Sequence, residues 1–140
     1  MIYLLDLNYT LVANSPKRGE PSLRPFIRQI DQEVYRQWLI ELLRPHPVIL
    51  VTARPNRYQD VTLARIKEKC GWEPMDAYFA EINSRPHMIK EHLLKTYILP
   101  KYGEAGSSYF GLESNPQTRA MYGRYGINAI RVTDQELMML

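Results

Sequence analysis

The 140-residue chain predicts a three-layer α/β sandwich built on a parallel sheet of about five strands, near the usual sheet size. Two observations favour this fold. Short runs of consecutive apolar residues alternate along the chain with longer stretches of helical periodicity, and right-handed crossovers then place helices on both faces of the sheet. No internal repeat or long linker interrupts the alternation, so residues 1–140 are expected to form a single domain.

Continuous apolar runs mark the expected strands. The first covers Ile2–Leu5, and the second covers residues 48–51, where four apolar side chains follow one another. Both runs are typical of strands that are buried on both faces. Three shorter or more mixed runs are the remaining candidates, namely residues 78–80, Tyr109–Leu112 and residues 129–132.

The longest helical pattern predicts one helix over residues 26–43, and Pro45 would end it. The apolar stripe of this helix consists of Ile27, Ile30, Val34 and Trp38, with Leu39, Leu42 and Leu43 alongside. An irregular stretch, residues 13–25, precedes the helix and contains three prolines. Such a composition predicts a loop or flap beside the end of the first strand.

Three further helices are expected between the later strands, and each has a boundary residue that favours it. Gly71 would terminate the first of them and Pro100 the second. Pro116 suits the first turn of the third, which would end near Gly126. The apolar stripes are Leu63, Ile66 and Cys70 in the first, and Ile89, Leu93 and Tyr97 in the second.

Composition excludes several classes of protein. Hydrophobic residues make up 45% of the chain and charged residues 24%, as in globular rather than disordered proteins. The single cysteine, Cys70, excludes an intrachain disulfide framework, and no Cys and His spacing indicates a zinc site. The apolar run before Asp6 is too short for a signal peptide or a membrane span. A cytoplasmic protein without a membrane partner is therefore expected.

The positive charge is unevenly distributed. Residues 1–70 contain 11 basic and 7 acidic side chains, whereas residues 71–140 contain 7 and 8. An excess of cations in the first half is compatible with an anionic partner, although a solvated basic surface explains most of them equally well.

Polar side chains follow the expected strands at their carboxyl ends. Asp6 follows the first strand, Thr52 the second and Glu113 the fourth, and Lys90 lies near the start of a helix. Because the carboxyl ends of parallel strands share one edge of the sheet, ligands bind there. A lysine, a hydroxyl and two carboxylates at that edge form a suitable site for a phosphate and a divalent metal.

In their order along the chain, these residues resemble the motifs of the haloacid dehalogenase-like superfamily. Its first motif, a hydrophobic strand followed by Asp-x-Asp-x-Thr, is matched by residues 6–10, Asp-Leu-Asn-Tyr-Thr. Its second motif, a hydrophobic strand ending in Thr or Ser, is matched by residues 48–52. Lys90 is the best match to its lysine motif, and Glu113 followed by Ser114 stands where the family has paired acids.

Parts of the chain are more specifically similar to the phosphatase domain of polynucleotide kinase–phosphatases. The similarity lies in residues 52–62, 88–100 and 113–127. Within the second of these segments, Lys95 is a rival to Lys90 for the motif lysine.

The resemblance implies a phosphohydrolase that depends on Mg²⁺ and forms an aspartyl-phosphate on Asp6. The catalytic residues would be Asp6, Asn8, Thr52 and Lys90. The substrate-binding residues would be Thr10, Ala53, Arg54 and Arg57. The metal ligands would be Asp6, the backbone carbonyl of Asn8, and Glu113.

Two positions depart from the family pattern. Asn8 replaces the second Asp, which donates and takes back a proton, a contribution typically of about 10²–10⁴-fold. Ser114 replaces a second acid beside the metal, which weakens metal binding. One alternative is therefore a weakened or catalytically silent domain that binds a phosphorylated partner or nucleic acid. Another is an interaction protein that keeps only the fold.

The spacing of the motifs leaves too little chain for a cap domain over the site. Thr10 and Val48 are separated by 37 residues, of which the helix and the flap use most. An open, capless site suits a phosphate on a large molecule. With Lys17, Arg18, Arg54 and Arg57 expected near its rim, a nucleic-acid terminus is favoured, and the resemblance implies a 3′-phosphate. Binding through such cations should weaken steeply with salt.

Overall fold

Five parallel strands form the central sheet of the computed structural model, which describes residues 1–134. The strands are β1 (Ile2–Leu5), β2 (Val48–Pro55), β3 (Asp76–Ala80), β4 (Tyr109–Leu112) and β5 (Asn128–Ile130). They pair in the order β3-β2-β1-β4-β5. The predicted α/β class and the predicted number of strands are thus confirmed.

Helices cover both faces of the sheet and complete the three layers. Helices α1 (Phe26–Asp31), α2 (Gln37–Leu43) and α3 (Gln59–Cys70) lie on one side. The other side carries α4 (Pro86–Leu93), α5 (Leu99–Tyr102) and α6 (Pro116–Arg124). Successive side chains of β1 point to opposite faces, so Leu5 belongs to the first apolar core and Leu4 to the second. Burial of both faces explains why β1 is continuously apolar.

The prediction of one helix over residues 26–43 is wrong, because the chain unwinds between α1 and α2. There Tyr35 pairs antiparallel with Val12, and the backbone N–H of Arg36 donates to the Leu11 carbonyl over 2.8 Å. These bonds tie the connection to the loop that follows β1. Val34, expected in the apolar stripe, is 57% exposed.

The later helices largely follow their boundary signals. Gly71 ends α3 in the left-handed conformation with φ 60°, and α6 begins at Pro116. Pro100 does not end its helix as predicted. A wider π-type turn, Leu94–Ile98, separates α4 from α5, so Pro100 falls in the first turn of α5, where its missing N–H is tolerated.

The chain order of the strands reverses between β1 and β4. From β1 the chain builds β2 and β3 on one side, and then crosses to β4 and β5 on the other. Such a reversal leaves a crevice at the carboxyl edge, where open α/β sheets bind ligands. Within residues 1–134, no helix combines the length and apolar character needed to cross a bilayer.

Candidate active site

Asp6 lies at this crevice, directly after β1, and its side chain is only 6% exposed. The loop Leu7–Leu11 curls back over the end of the strand, with Asn8 extended and Tyr9 in the left-handed region at φ 64°. Buried Leu7 and Leu11 anchor this loop in the apolar core. The curl brings the hydroxyl of Thr10 to 2.8 Å from Asp6 Oδ2.

The two carboxylate oxygens of Asp6 have different surroundings. Oδ2 accepts hydrogen bonds from Thr10 and from both the hydroxyl and the backbone N–H of Ser114, at 2.8, 2.8 and 3.3 Å. Oδ1 accepts one bond, from Lys90 Nζ at 2.8 Å. Oδ1 therefore accepts fewer hydrogen bonds than Oδ2 and keeps a lone pair available.

Lys90, on the buried face of α4, joins Asp6 to Glu113 at the end of β4. Its Nζ donates to Glu113 Oε1 over 2.6 Å, and the side chains of Lys90 and Glu113 are 3% and 2% exposed. The backbone N–H of Asn115 donates to the other Glu113 oxygen at 3.0 Å. The structure thus brings together Asp6, Lys90 and Glu113, which were predicted from the sequence, whereas Lys95 is exposed.

Burial and charge shift the pKa values of this cluster in different directions. Burial opposes ionisation of Asp6, but the charge and hydrogen bond of Lys90 outweigh it and hold the Asp6 pKa below its ordinary value. For Lys90, the two carboxylates outweigh burial and raise its pKa. Burial, opposed by Lys90 and reinforced by the negative charge of Asp6, raises the pKa of Glu113 to about 7.

Asp6, Glu113 and the carbonyl of Asn8 offer only oxygen donors, the ligand type that Mg²⁺ prefers. When Glu113 is ionised, two carboxylates against one ammonium also leave a negative charge for a cation to balance. The donor chemistry therefore fits a hard divalent ion. The set is small, since residues 1–134 contain no group of three or more His, Cys, Asp or Glu side chains placed to hold a metal.

Ser114 lies between two of these donors. Its hydroxyl is 2.8 Å from Asp6 Oδ2 and 3.4 Å from the Asn8 carbonyl oxygen. A cation that bridged these two oxygens would compete with that hydroxyl.

A second buried network surrounds Arg54, which the sequence places among the substrate-binding residues. Both of its terminal nitrogens donate to Glu33, at 3.1 and 2.5 Å. One nitrogen also donates to Thr62 and the other to Asn8 Oδ1, each at 3.0 Å. The side chain of Arg54 is 1% exposed, so it is not at the rim as expected.

The other residues predicted to bind phosphate or substrate lie at the end of β2. Thr52 is buried, and its hydroxyl accepts from the Arg54 backbone N–H at 3.1 Å. Ala53 is half-buried, and Arg57 is exposed. Since Leu5 pairs with Leu50, Thr52 extends past the same edge of the sheet as Asp6.

Sequence reasoning missed three charged residues that support the site. Glu33 lies inside the helix predicted over residues 26–43 and outside its apolar stripe, so nothing in the sequence marked it as buried. Arg119 donates to the carbonyls of Glu113 and Ser114, at 3.0 and 2.9 Å. Arg36 donates to the carbonyls of the loop after β1, at 3.3 Å for Tyr9 and 2.5 Å for Thr10. Only Arg119 carried a signal, because it falls in the turn after Pro116.

Neither a family model nor a curated protein matches this chain. Solved structures do match it. A chain in the structure of the Pnkp1/Rnl/Hen1 RNA repair complex matches 94% of this chain at 20% identity with a TM-score of 0.72. A chain in another structure, of the Pnkp1/Rnl/Hen1 complex, gives the same coverage, identity and TM-score. This chain spans only 42% and 45% of those two chains, and identity at this level shows a shared fold.

Proposed function

We propose that this chain is a phosphohydrolase of the haloacid dehalogenase-like type, with Asp6 as its nucleophile and a phosphate on a nucleic acid as its substrate. The observation that carries the proposal is the buried Asp6–Lys90–Glu113 cluster at the crevice between β1 and β4. A buried carboxylate kept ionised by an adjacent ammonium is suited to attack phosphorus. The likeness to chains of an RNA repair complex supports a nucleic acid as the substrate.

The two oxygens of Asp6 suggest how the first step would proceed. Oδ1, which accepts one hydrogen bond, attacks phosphorus, and the bond from phosphorus to the leaving oxygen breaks. The phosphoryl group is then carried on Asp6. Lys90 would balance the charge on the phosphoryl oxygens, and the Thr52 hydroxyl and the Ala53 N–H would hold them.

Hydrolysis of the aspartyl-phosphate completes the cycle. Water attacks phosphorus and passes one proton to solvent, the bond from phosphorus to Asp6 breaks, and phosphate leaves with the carboxylate restored. That proton balances the one that the leaving oxygen takes up from solvent in the first step. Mg²⁺, held by Asp6, the Asn8 carbonyl and Glu113, would supply positive charge to the phosphoryl oxygens. Thr10 would keep the carboxylate oriented throughout, since its hydroxyl donates to Oδ2.

The leaving oxygen and the attacking water obtain little help with protons. Asn8 has no proton to exchange, and its side-chain oxygen already accepts from Arg54. We therefore infer slow turnover, fastest with leaving groups that need no protonation. The irregular flap of residues 13–25 lies beside the site, which suits a large substrate such as the 3′-phosphate end of a nucleic-acid strand.

A second candidate function is binding of a phosphorylated nucleic acid without turnover. The observation that favours it is the Ser114 hydroxyl between Asp6 and the Asn8 carbonyl, where it competes with a metal ion. In that case Lys90, Thr52 and Ala53 would still hold a phosphate.

Hydrolysis of a small aryl phosphate with Mg²⁺ tests the proposal, because its leaving group is stable without a proton. We expect turnover by the parent protein and none by Asp6→Asn. Asp60→Asn, which changes an exposed carboxylate on α3, is the matched control and should behave as the parent. Equal rates in the parent and Asp6→Asn, or none in either, would favour the binding function.

A further inference from the structure

Two cavities adjoin each other beside the end of β2. The inner cavity, of about 520 Å³, extends from Ala53 to the start of α4 and is lined by Asn56, Glu81 and Asn83 among others. The flap cavity, of about 590 Å³, lies between the flap and the turn after β2. Pro55 and Arg57 line both cavities and therefore form their common wall.

Aromatic rings line the flap cavity. The rings of Phe26 and Tyr58 lie 4.9 Å apart at 54° to one another, and both side chains are half-buried. The guanidinium of Arg57 lies 4.7 Å from the Tyr58 ring centre. Partly exposed aromatic rings with a stacked arginine are the groups on which proteins stack single-stranded bases.

Two arginines, Arg24 and Arg57, line the same cavity, and the flap and α1 carry further positive charge. Five exposed cations lie on the flap, on α1 and on the common wall: Lys17, Arg18, Arg24, Arg28 and Arg57. Glu20 is the one acidic residue between positions 13 and 30. Within residues 1–134, none of the five cations forms an ion pair, whereas Arg44 and Arg65 on other surfaces do. Such unneutralised cations complement a phosphate backbone.

We propose that the two cavities bind two successive nucleotides at the 3′ end of a single strand. This inference rests on the proposed function, which places the terminal phosphate at Ala53 and so the terminal nucleoside in the inner cavity. The preceding base then stacks on Phe26 and Tyr58 in the flap cavity. Arg57, in the wall between them, contacts the phosphate that links the two nucleotides.

Binding of short 3′-phosphorylated oligoribonucleotides to the Asp6→Asn protein, followed by calorimetry, tests the inference without turnover. We expect a dinucleotide to bind about tenfold more tightly than a mononucleotide, because one stacked base contributes a factor of about five or more. An abasic site in place of the preceding base should remove this gain. Equal affinity for the mononucleotide and the dinucleotide would overturn the inference.

Variants of the cavity walls locate the effect. Tyr58→Leu, combined with Asp6→Asn, should reduce dinucleotide affinity and leave mononucleotide affinity unchanged. Arg57→Gln in the same background should weaken both ligands, and the dinucleotide more, because Arg57 lines both cavities. Arg124→Gln, on the exposed side of α6, is the control for loss of one positive charge. Equal weakening of both ligands by Tyr58→Leu would contradict the assignment. If no phosphate is ever hydrolysed but the length dependence holds, the proposed hydrolase function fails and the two-nucleotide site stands.

Discussion

Two buried networks of charged residues lie side by side in this protein, and they differ in their balance of positive and negative charge. Around Arg54, one guanidinium meets one carboxylate, that of Glu33, with two bonds between them. Around Asp6, one ammonium meets two carboxylates. The first network is neutral as it stands, whereas the second has an unmatched negative charge whenever Glu113 is ionised, above its pKa of about 7.

The difference in balance corresponds to a difference in role. A neutral, bidentate ion pair balances its own charge and fixes the connection between α1 and α2 against the end of β2. An unbalanced cluster at a sheet crevice is completed only by a ligand that brings positive charge. We infer that the Arg54 network maintains the structure and that the Asp6 network carries function. Four substitutions test this division.

The largest expected effect is on stability, from Glu33→Gln. It leaves the buried Arg54 guanidinium without a counter-charge, so the free energy of unfolding should fall by about 3–5 kcal/mol. Urea denaturation measures it, and Glu41→Gln, which breaks the exposed pair with Arg44, should change it little. If the two variants lose equal stability, the Arg54 network is not the support described above.

Asn8→Asp should raise turnover by restoring a group that exchanges protons. Arg54 Nη2 lies 3.0 Å from Asn8 Oδ1 and would hold an aspartate there ionised, so we expect a gain of about 10²-fold, at the lower end for general acid–base catalysis. An ionised aspartate acts as a base on the attacking water, so the measurement is steady-state hydrolysis of an aryl phosphate, whose leaving group needs no proton. Asn128→Asp, on an exposed position of β5, should give no gain. No gain at position 8 would mean that the rest of the site cannot catalyse.

Ser114→Asp should increase the affinity for Mg²⁺. The substitution removes the hydroxyl that bridges Asp6 and the Asn8 carbonyl and adds a carboxylate, so half-saturation should occur at about tenfold lower Mg²⁺. Titration of activity with Mg²⁺ measures this shift, and exposed Ser107→Asp is the charge-matched control. An unchanged requirement would argue against a metal at this position.

The smallest effect is expected for the stability of Asp6→Asn. The lowered pKa of Asp6 means that its ionised form stabilises the fold, but its removal also leaves Lys90 and Glu113 as a neutral pair. These effects offset each other, so the free energy of unfolding should change by no more than about 1 kcal/mol. Thermal denaturation of the parent and the variant gives the comparison. A loss as large as that expected for Glu33→Gln would remove the distinction between the two networks.

Much of the fold could be predicted from the sequence because local signals and tertiary structure agree there. The strands at Ile2–Leu5 and Tyr109–Leu112 were predicted with their observed bounds, since strands buried on both faces must be continuously apolar. The helix predicted over residues 26–43 failed because its break depends on backbone bonds to Val12 and Leu11, which lie far away along the chain. The periodicity of a single segment cannot indicate bonding partners that lie elsewhere in the sequence.

The site divides in the same way. Asp6, Lys90 and Glu113 were found because strand ends and motif order point to them. The burial of Arg54 was missed because its partner Glu33 lies in the irregular connection between α1 and α2. That connection has neither the periodicity of a helix nor that of a strand. The hydroxyl contacts of Ser114 depend on side-chain geometry, which a sequence does not specify.

The central place of β1 has a consequence for how the chain folds. β1 is flanked by β2 and β4, and Asp6 bonds to Ser114, which is 108 residues later. The backbone groups on the β4 side of Ile2–Leu5 therefore stay unpaired until Tyr109–Leu112 has joined the sheet. Long-range parallel pairing of this kind folds slowly and is exposed to aggregation. A chaperone that shields this side of the strand would thus improve the yield of this protein.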